Sequence, residues 1–180
     1  MPHWVTLALM LPDILQTGLD VVFVGTAAGD RSAREGIYYA HPGNKFWPTL
    51  EAIGLIPVGF ERARFREVPK FGIGLTDLCK TRSGMDHVLV RGDFDVAGLA
   101  ARLRAIRPRV VAFTSKKGAS TFLGIASAKV PLGVPLDYAP DFAPVFALPS
   151  PSGAARGHWD EGPWRALARW LKTRQGRKGL

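Results

Sequence analysis

Three short runs of apolar residues determine the expected architecture of the chain. They occupy residues 21–24, 110–113 and 145–148, and small or polar residues follow each run. Continuous apolar runs of this length are typical of strands that are buried on both faces of a parallel sheet. The pattern therefore predicts three buried strands.

Helical spacing of apolar residues fills the intervals between these strands. The clearest helix begins at Asp95, whose carboxylate suits an N-cap, and ends before Pro108. Another helix is opened by Pro42 or Asn44, and a short one ends near Phe122. A last helix has one apolar face, which consists of Trp164, Leu167, Ala168 and Leu171.

The remaining segments are polar and short. Residues 30–36 are predicted to form an exposed loop, and residues 61–70 either a short helix or a loop. Strands that alternate with helices predict one α/β domain over residues 1–180, with a central, mostly parallel sheet in a three-layer α/β/α arrangement. A flexible basic tail is expected at 173–180. In such folds ligands bind beyond the carboxyl ends of the strands.

The segment after the first strand contains the strongest signs of a binding site. Residues 25–29 are all small, so backbone N–H groups in this turn are accessible to an anion or to the carbonyl of a heterocycle. Tyr38 and Tyr39 follow as flat surfaces for stacking, and Asn44 adds an amide. This combination predicts a pocket for a planar ring.

Three motifs resemble those of the uracil-DNA glycosylase superfamily. The strand, the small-residue turn and an HPxNxFW sequence are similar to the mismatch-specific branch, and YYAHPxNxFW at 38–47 is even more similar to the hypoxanthine-DNA glycosylase branch. Residues 74–78 (GLTDL) and 148–153 (LPSPSG) follow in the family's order. The resemblance covers most of the chain, from about residue 11 to 171.

The resemblance implies a monofunctional enzyme that hydrolyses the N-glycosidic bond of a deaminated base in DNA. Such an enzyme must extrude the base from the stack into a pocket. Uracil is the expected base, and hypoxanthine is the alternative that YYAHPxNxFW favours. No cofactor is implied. A protein that binds lesions without catalysis is a further alternative, because Ala27 and Ser150 stand where the mismatch-specific branch has asparagines.

The catalytic candidates follow from what the turn lacks. Ala27 cannot position a water molecule, so the role passes to Asn44, which matches the asparagine that the hypoxanthine branch is thought to use. Asp30, directly after the turn, could orient water as a carboxylate, and Ser32 matches a serine of the mismatch-specific branch. A helix cap for Asn44 and a solvated acid for Asp30 are the alternative interpretations, and Asp77 is interpreted as structural.

The remaining candidates contact the base or the DNA. The base-binding residues implied by the motifs are Thr26, Ala27, Ala28, Gly29, Tyr39 and Ser150. The DNA-binding residues are Lys116, Lys117, Ser152, Gly153 and Arg156. Arg156 lies where the family inserts a wedge into the duplex, and it either fills that gap or contacts phosphate.

Charge and cysteine content agree with this interpretation. The net charge of +9 favours a polyanionic partner such as DNA. A single cysteine excludes an internal disulfide framework, a cysteine-ligated zinc or an iron–sulfur cluster, and the motifs contain no metal-binding spacing. An apolar patch at residues 4–11 is too short to span a membrane. We therefore expect a cytoplasmic, nucleoid-associated monomer.

Overall fold

A four-stranded parallel sheet forms the centre of the molecule. The computed structural model describes residues 11–80, 94–153, 157 and 159–175. The strands are β1 (Val21–Gly25), β2 (Ile73–Asp77), β3 (Val110–Phe113) and β4 (Val145–Ala147). Their order is β2-β1-β3-β4, and every adjacent pair is parallel.

Helices connect the strands and cover both faces of the sheet. They are α1 (Asp30–Glu35), α2 (Phe46–Ala52), α3 (Val96–Ile106), α4 (Lys116–Leu123) and α5 (Gly162–Gln175), with 3-10 segments at Arg62–Phe71 and Ser127–Lys129. In the part of the chain described here, no helix is both long and apolar enough to cross a membrane.

Alternation of side chains along the strands produces two apolar cores. In β1, Val21 and Phe23 pack into one core with residues of α2 and α5, whereas Val22 and Val24 pack into the other with residues of α3 and α4. Every residue of the four strands is buried. The three-layer α/β/α fold with a parallel sheet is thereby confirmed.

Two local predictions differ from the structure. The sequence pattern predicts three strands, whereas the structure has a fourth, β2. The pattern does not reveal β2 because Gly74, Thr76 and Asp77 interrupt its apolar character. The predicted loop at 30–36 is wrong, since residues 30–35 form α1. This helix buries only small side chains, Ser32 and Ala33, so its apolar face is not apparent in the sequence.

Parallel pairing brings the carboxyl ends of all four strands to one side of the sheet, which we call the carboxyl edge. The segments that leave this edge are residues 26–29 after β1, 78–80 after β2, 114–115 after β3 and 148–153 after β4. All three motifs contribute to it.

At the carboxyl end of the chain, α5 continues through Gln175, so the first positions of the predicted tail belong to a helix and 176–180 lie outside the described residues.

Candidate active site

The centre of the carboxyl edge is a close approach between β1 and β2. A Cβ at Gly25 would lie 2.5 Å from Oδ1 of Asp77 and 3.4 Å from the hydroxyl oxygen of Tyr39. Only glycine at position 25 therefore allows a buried carboxyl and a tyrosine hydroxyl to lie against the same stretch of backbone. The glycine that begins the small-residue turn is needed for this approach.

The turn after β1 is anchored on both sides. The Thr26 carbonyl accepts a 2.7 Å hydrogen bond from the Cys79 N–H, and a Cβ at Gly118 of α4 would lie 3.6 Å from the Thr26 methyl group. Thr26 and Ala28 are buried, Ala27 is partly buried and Gly29 is exposed before α1. The four turn residues predicted to bind a base therefore lie at the carboxyl edge, and Ala27 and Gly29 are the more accessible of them.

Tyr39 has a tightly defined position at this edge. Its φ of 52° is in the left-handed region, which non-glycine residues adopt infrequently. The ring stacks on Phe46 with 3.8 Å between centroids and 20° between planes. The hydroxyl shares a 3.1 Å hydrogen bond with Oγ1 of Thr114, directly after β3. Burial, and secondarily the charge of Asp77, raise the pKa of Tyr39 well above its usual range, so the phenol stays neutral.

Ser32, one of the catalytic candidates, is placed inside the fold. It is buried on α1, and its Oγ accepts a 3.0 Å hydrogen bond from the backbone N–H of Ala40. The contact joins α1 to the residue next to Tyr39. The geometry thus gives Ser32 a direct role in holding the Tyr39 backbone.

Asn44 lies directly before Lys45, the N-cap residue of α2. Its Oδ1 accepts a 2.9 Å hydrogen bond from the N–H of Phe46, the first residue of α2, while its own N–H donates to the His41 carbonyl. The oxygen therefore satisfies the first N–H of α2 as a cap would, although Lys45 holds the N-cap position. The amide NH₂ group keeps two donors of its own, so capping and a contact to a ligand are compatible.

The first and third motifs are in direct contact. The Lys45 N–H donates a 2.8 Å hydrogen bond to the Pro151 carbonyl, and a Cβ at Gly153 would lie 3.6 Å from the Gly43 carbonyl oxygen. In the third motif, Oγ of Ser150 accepts from the Ser152 N–H over 3.3 Å. The structure thus brings Ser150, Ser152 and Gly153 next to the Asn44 turn.

Asp77 is the buried ionisable group of the edge. It is 3% exposed, with Nζ of Lys80 3.5 Å from its Oδ2. Burial raises the pKa of Asp77 to about 6, the positive charge of Lys80 opposes that rise, and the negative charge of Asp13 adds to it. Lys80 also pairs with Asp13 at 2.8 Å. The charge cluster ties the strand end to the segment that precedes β1.

The other predicted residues are more peripheral. Asp30 is exposed at the first position of α1, and Lys116 is exposed at the first position of α4. Lys117 is partly buried, with Nζ 5.7 Å from the centroid of the Phe94 ring. Arg156 lies outside the described residues.

Several residues at this site were not identified from sequence. Thr114 bonds the Tyr39 hydroxyl, and Arg62 contacts the carbonyls of residues 39–41. Lys45 lies with Nζ 5.7 Å from the centroid of the partly buried Trp159 ring. The only sequence signal among these is the position of Lys45 inside the first motif, because the others come from distant segments.

Metal ligands and one cavity were compared with the carboxyl edge within the described part of the chain. Among the residues described, no group of three or more His, Cys, Asp or Glu side chains could hold a metal ion. A cavity of about 150 Å³ lies at the opposite edge of the sheet, where Val21 and Ile73 begin their strands and Lys172 lines the wall. It contains none of the predicted site residues.

Comparison with known proteins gives the same assignment as the motifs. The sequence model of the uracil DNA glycosylase superfamily matches residues 12–174. In fold, the chain is similar to the solution NMR structure of a Methanosarcina acetivorans protein that is provisionally named a uracil DNA glycosylase. The TM-score is 0.61 and the sequence identity 24%, over 92% of this chain and 98% of that one. The family match spans nearly the whole chain, which therefore belongs to the uracil DNA glycosylase superfamily.

Proposed function

We propose that this protein is a monofunctional uracil-DNA glycosylase that begins base excision repair. The observation that carries the proposal is the superfamily match over residues 12–174. The convergence of all three motifs on the carboxyl edge supports it, because that edge is where ligands bind in parallel α/β folds. The substrate is DNA that contains a deaminated base, extruded from the duplex into the site.

In the proposed complex the base stacks on the Tyr39 ring. Phe46 supports that ring from one side, and Thr114 fixes its hydroxyl, so the ring offers a rigid flat surface. Backbone donors of residues 27–29 and Oγ of Ser150 are the candidates to bind the polar edge of the base. Donors aimed at a departing base lower the barrier, because negative charge develops there in the transition state.

In the proposed reaction a water oxygen forms a bond to C1′ of the sugar while the bond from C1′ to the base nitrogen breaks. The bonding electrons leave with the base, and the water gives up its proton to the base or to solvent. Asn44 is the first candidate to position that water, and Asp30 is the second. No lysine is placed by the motifs as a nucleophile, so the abasic strand is expected to remain intact.

Basic residues next to the site are the proposed phosphate contacts. Lys116 is exposed at the start of α4, and Lys45 lies beside the loop of the third motif. The set predicted from sequence consists of Lys116, Lys117, Ser152, Gly153 and Arg156, and Lys45 is added from the structure. Such contacts position a duplex without reading its sequence.

Hypoxanthine is the second candidate substrate. The observation that favours it is the YYAHPxNxFW form of residues 38–47 together with Ala27 in the turn. A protein that binds lesions without cleaving them is the non-enzymatic alternative.

Base release from matched oligonucleotides distinguishes these candidates. Each oligonucleotide carries uracil, hypoxanthine, xanthine or a thymine mismatch, in single and in double strands. We expect release of uracil. Release of hypoxanthine alone would assign the enzyme to the second candidate. Tight lesion binding without release of any base would contradict the enzymatic proposal.

A further inference from the structure

One guanidinium group binds three successive backbone carbonyls next to the proposed base-stacking residue. Nη1 of Arg62 lies 3.5, 2.9 and 3.0 Å from the carbonyl oxygens of residues 39, 40 and 41, respectively. Hydrogen bonds from a charged donor are stronger than neutral ones. Because Nη1 carries two N–H groups, its two short hydrogen bonds restrain the carbonyls of residues 40 and 41, and the carbonyl of residue 39 lies beside them at the longest distance of the three.

The segment that carries Arg62 is itself fixed against the first motif. Phe60 stacks on Trp47, with 5.5 Å between ring centroids and 28° between planes. Phe65 packs edge-on against Tyr38, with 5.6 Å between centroids. Because aromatic contacts fix the residues before and after Arg62 in the sequence, its guanidinium group has a defined position.

The backbone that Arg62 holds is one that would relax without support. Tyr39 has a φ of 52°, and a non-glycine residue in this conformation persists only where surrounding contacts impose it. The other contacts described for this stretch are neutral: the Ala40 N–H donates to Ser32, the Trp47 indole N–H donates to the Tyr38 carbonyl, and the Asn44 N–H donates to the His41 carbonyl. Arg62 supplies the only charged group among the contacts described for these peptide groups.

We propose that Arg62 is a positioning residue for base excision, which holds the Tyr39 ring and the adjoining Asn44 turn in their reactive arrangement through the carbonyls of residues 39–41. This inference rests on the proposed function. Arg62 does not touch the base in this account. It acts through the peptide groups that orient the stacking ring and the catalytic amide.

The test uses Arg62→Ala and Arg62→Lys in the full chain, with Arg64→Ala as the matched control. Arg64 belongs to the same segment, is exposed and pairs with Glu67. We expect Arg62→Ala to slow single-turnover base release by roughly 10- to 100-fold, since small misplacements of reacting groups cost rates of this order. The Kd for substrate DNA and its salt dependence should stay near the wild-type values.

Two further results are expected. Arg62→Lys should recover part of the rate, because an ammonium group can still donate to the carbonyls. Millimolar guanidinium chloride, compared with sodium chloride at the same concentration, should partly restore Arg62→Ala and leave Arg64→Ala unchanged. A wild-type rate in Arg62→Ala would overturn the proposal. So would a loss confined to DNA affinity and its salt dependence, which would make Arg62 a phosphate contact.

Failure of the proposed function has a different signature. If the wild-type chain releases no base from any oligonucleotide, amide hydrogen exchange decides the positioning claim. Faster exchange at Ala40, Gly43 and Asn44 in Arg62→Ala, with no change in Arg64→Ala, would support the positioning role. Unchanged exchange in both variants would overturn it.

Discussion

At the residue scale, we propose that the Asn44 side chain combines a structural role with a catalytic one. Its Oδ1 caps α2 through the Phe46 N–H, which leaves the NH₂ group as the proposed contact to the water or the base. Substitution therefore affects both stability and rate, and the two effects have to be measured separately.

We predict that Asn44→Ala lowers single-turnover base release by about 10²-fold or more, the typical cost of losing one well-placed polar contact in a transition state. Asp30→Ala, at an exposed position, should lower it much less. Asn44→Asp is the control for the cap, because a carboxylate still accepts from the Phe46 N–H. If neither alanine variant lowers the rate, both catalytic assignments fail.

Asp77 gives a prediction about pH. The pKa of this buried carboxyl is about 6 in the folded chain and close to 4 when unfolded, so between these values the folded state keeps a proton that the unfolded state has lost. The free energy of unfolding should therefore fall as pH rises from about 4 to about 6, by on the order of 2 to 3 kcal/mol.

Urea denaturation at a series of pH values measures this effect. Asp77→Asn keeps the shape of the side chain and removes its titration, so its stability should lack that fall with pH. Lys80 and Asp13 are the charged groups that face Asp77, and both remain in the variant. Any pH dependence of stability that they cause is therefore present in both proteins. A fall of the same size in Asp77→Asn would contradict the assignment to Asp77.

Individual residues of the site were predictable only where a local motif contained them. Tyr39, Asn44 and Ser150 stand in recognisable sequences, and the structure places them together at the carboxyl edge. Arg62 and Thr114 have no such signal, because their relation to Tyr39 depends on segments that meet only after folding. Ser32 was located from sequence, but its hydrogen bond to the Ala40 N–H depends on how α1 packs.

At the element scale, the pairing of Gly25 with Asp77 at the carboxyl ends of β1 and β2 shapes the candidate site. Gly25 ends β1 with no space for a side chain, because Asp77 occupies the volume where a Cβ would lie. Gly29, four residues later, has open space around it and an ordinary extended conformation.

We predict that Gly25→Ala displaces Asp77 and Tyr39, with a stability loss of roughly 1 to 3 kcal/mol, which is typical of overpacking. The rate of base release should also fall, because Tyr39 is displaced. Gly29→Ala is the matched control for packing, because a Cβ there meets open space, and it should lower the melting temperature much less. Equal behaviour of the two variants would contradict the close packing at Gly25.

Strands and helices were predicted correctly where apolar residues formed a continuous run or kept helical spacing, and they were missed where neither pattern was present. The runs at 21–24, 110–113 and 145–148 correspond to strands, because a strand that is buried on both faces of the sheet has apolar residues at successive positions. β2 was missed since Gly74, Thr76 and Asp77 are small or polar despite complete burial. α1 was missed because a helix that buries only Ser32 and Ala33 has the composition of a loop.

At the scale of the whole molecule, the two edges of the sheet differ in the residues that they carry. The carboxyl edge gathers the three motifs, with Lys45 and Lys116 beside them, whereas Lys172 lies at the opposite edge. The net charge of +9 attracts DNA to the protein in general, so only local variants can locate the binding face.

We predict that Lys45→Ala and Lys116→Ala each weaken DNA binding and reduce the slope of log Kd against log salt by about one unit, the value for one lost phosphate contact. Lys172→Ala removes the same charge from the other edge and should leave the slope unchanged. Fluorescence anisotropy with a labelled duplex over a range of salt concentrations measures all three. Equal slopes for the three variants would contradict the proposed binding face.

Above all, we propose that the chain hydrolyses the bond between uracil and deoxyribose. The most direct measurement incubates the wild-type protein in excess with a duplex that contains one uracil, and assays free base and strand length in the same sample. We predict that free uracil appears and that the strand breaks only after alkali treatment, as expected for a monofunctional enzyme. A duplex that is bound but yields neither free uracil nor an alkali-labile site would contradict the claim.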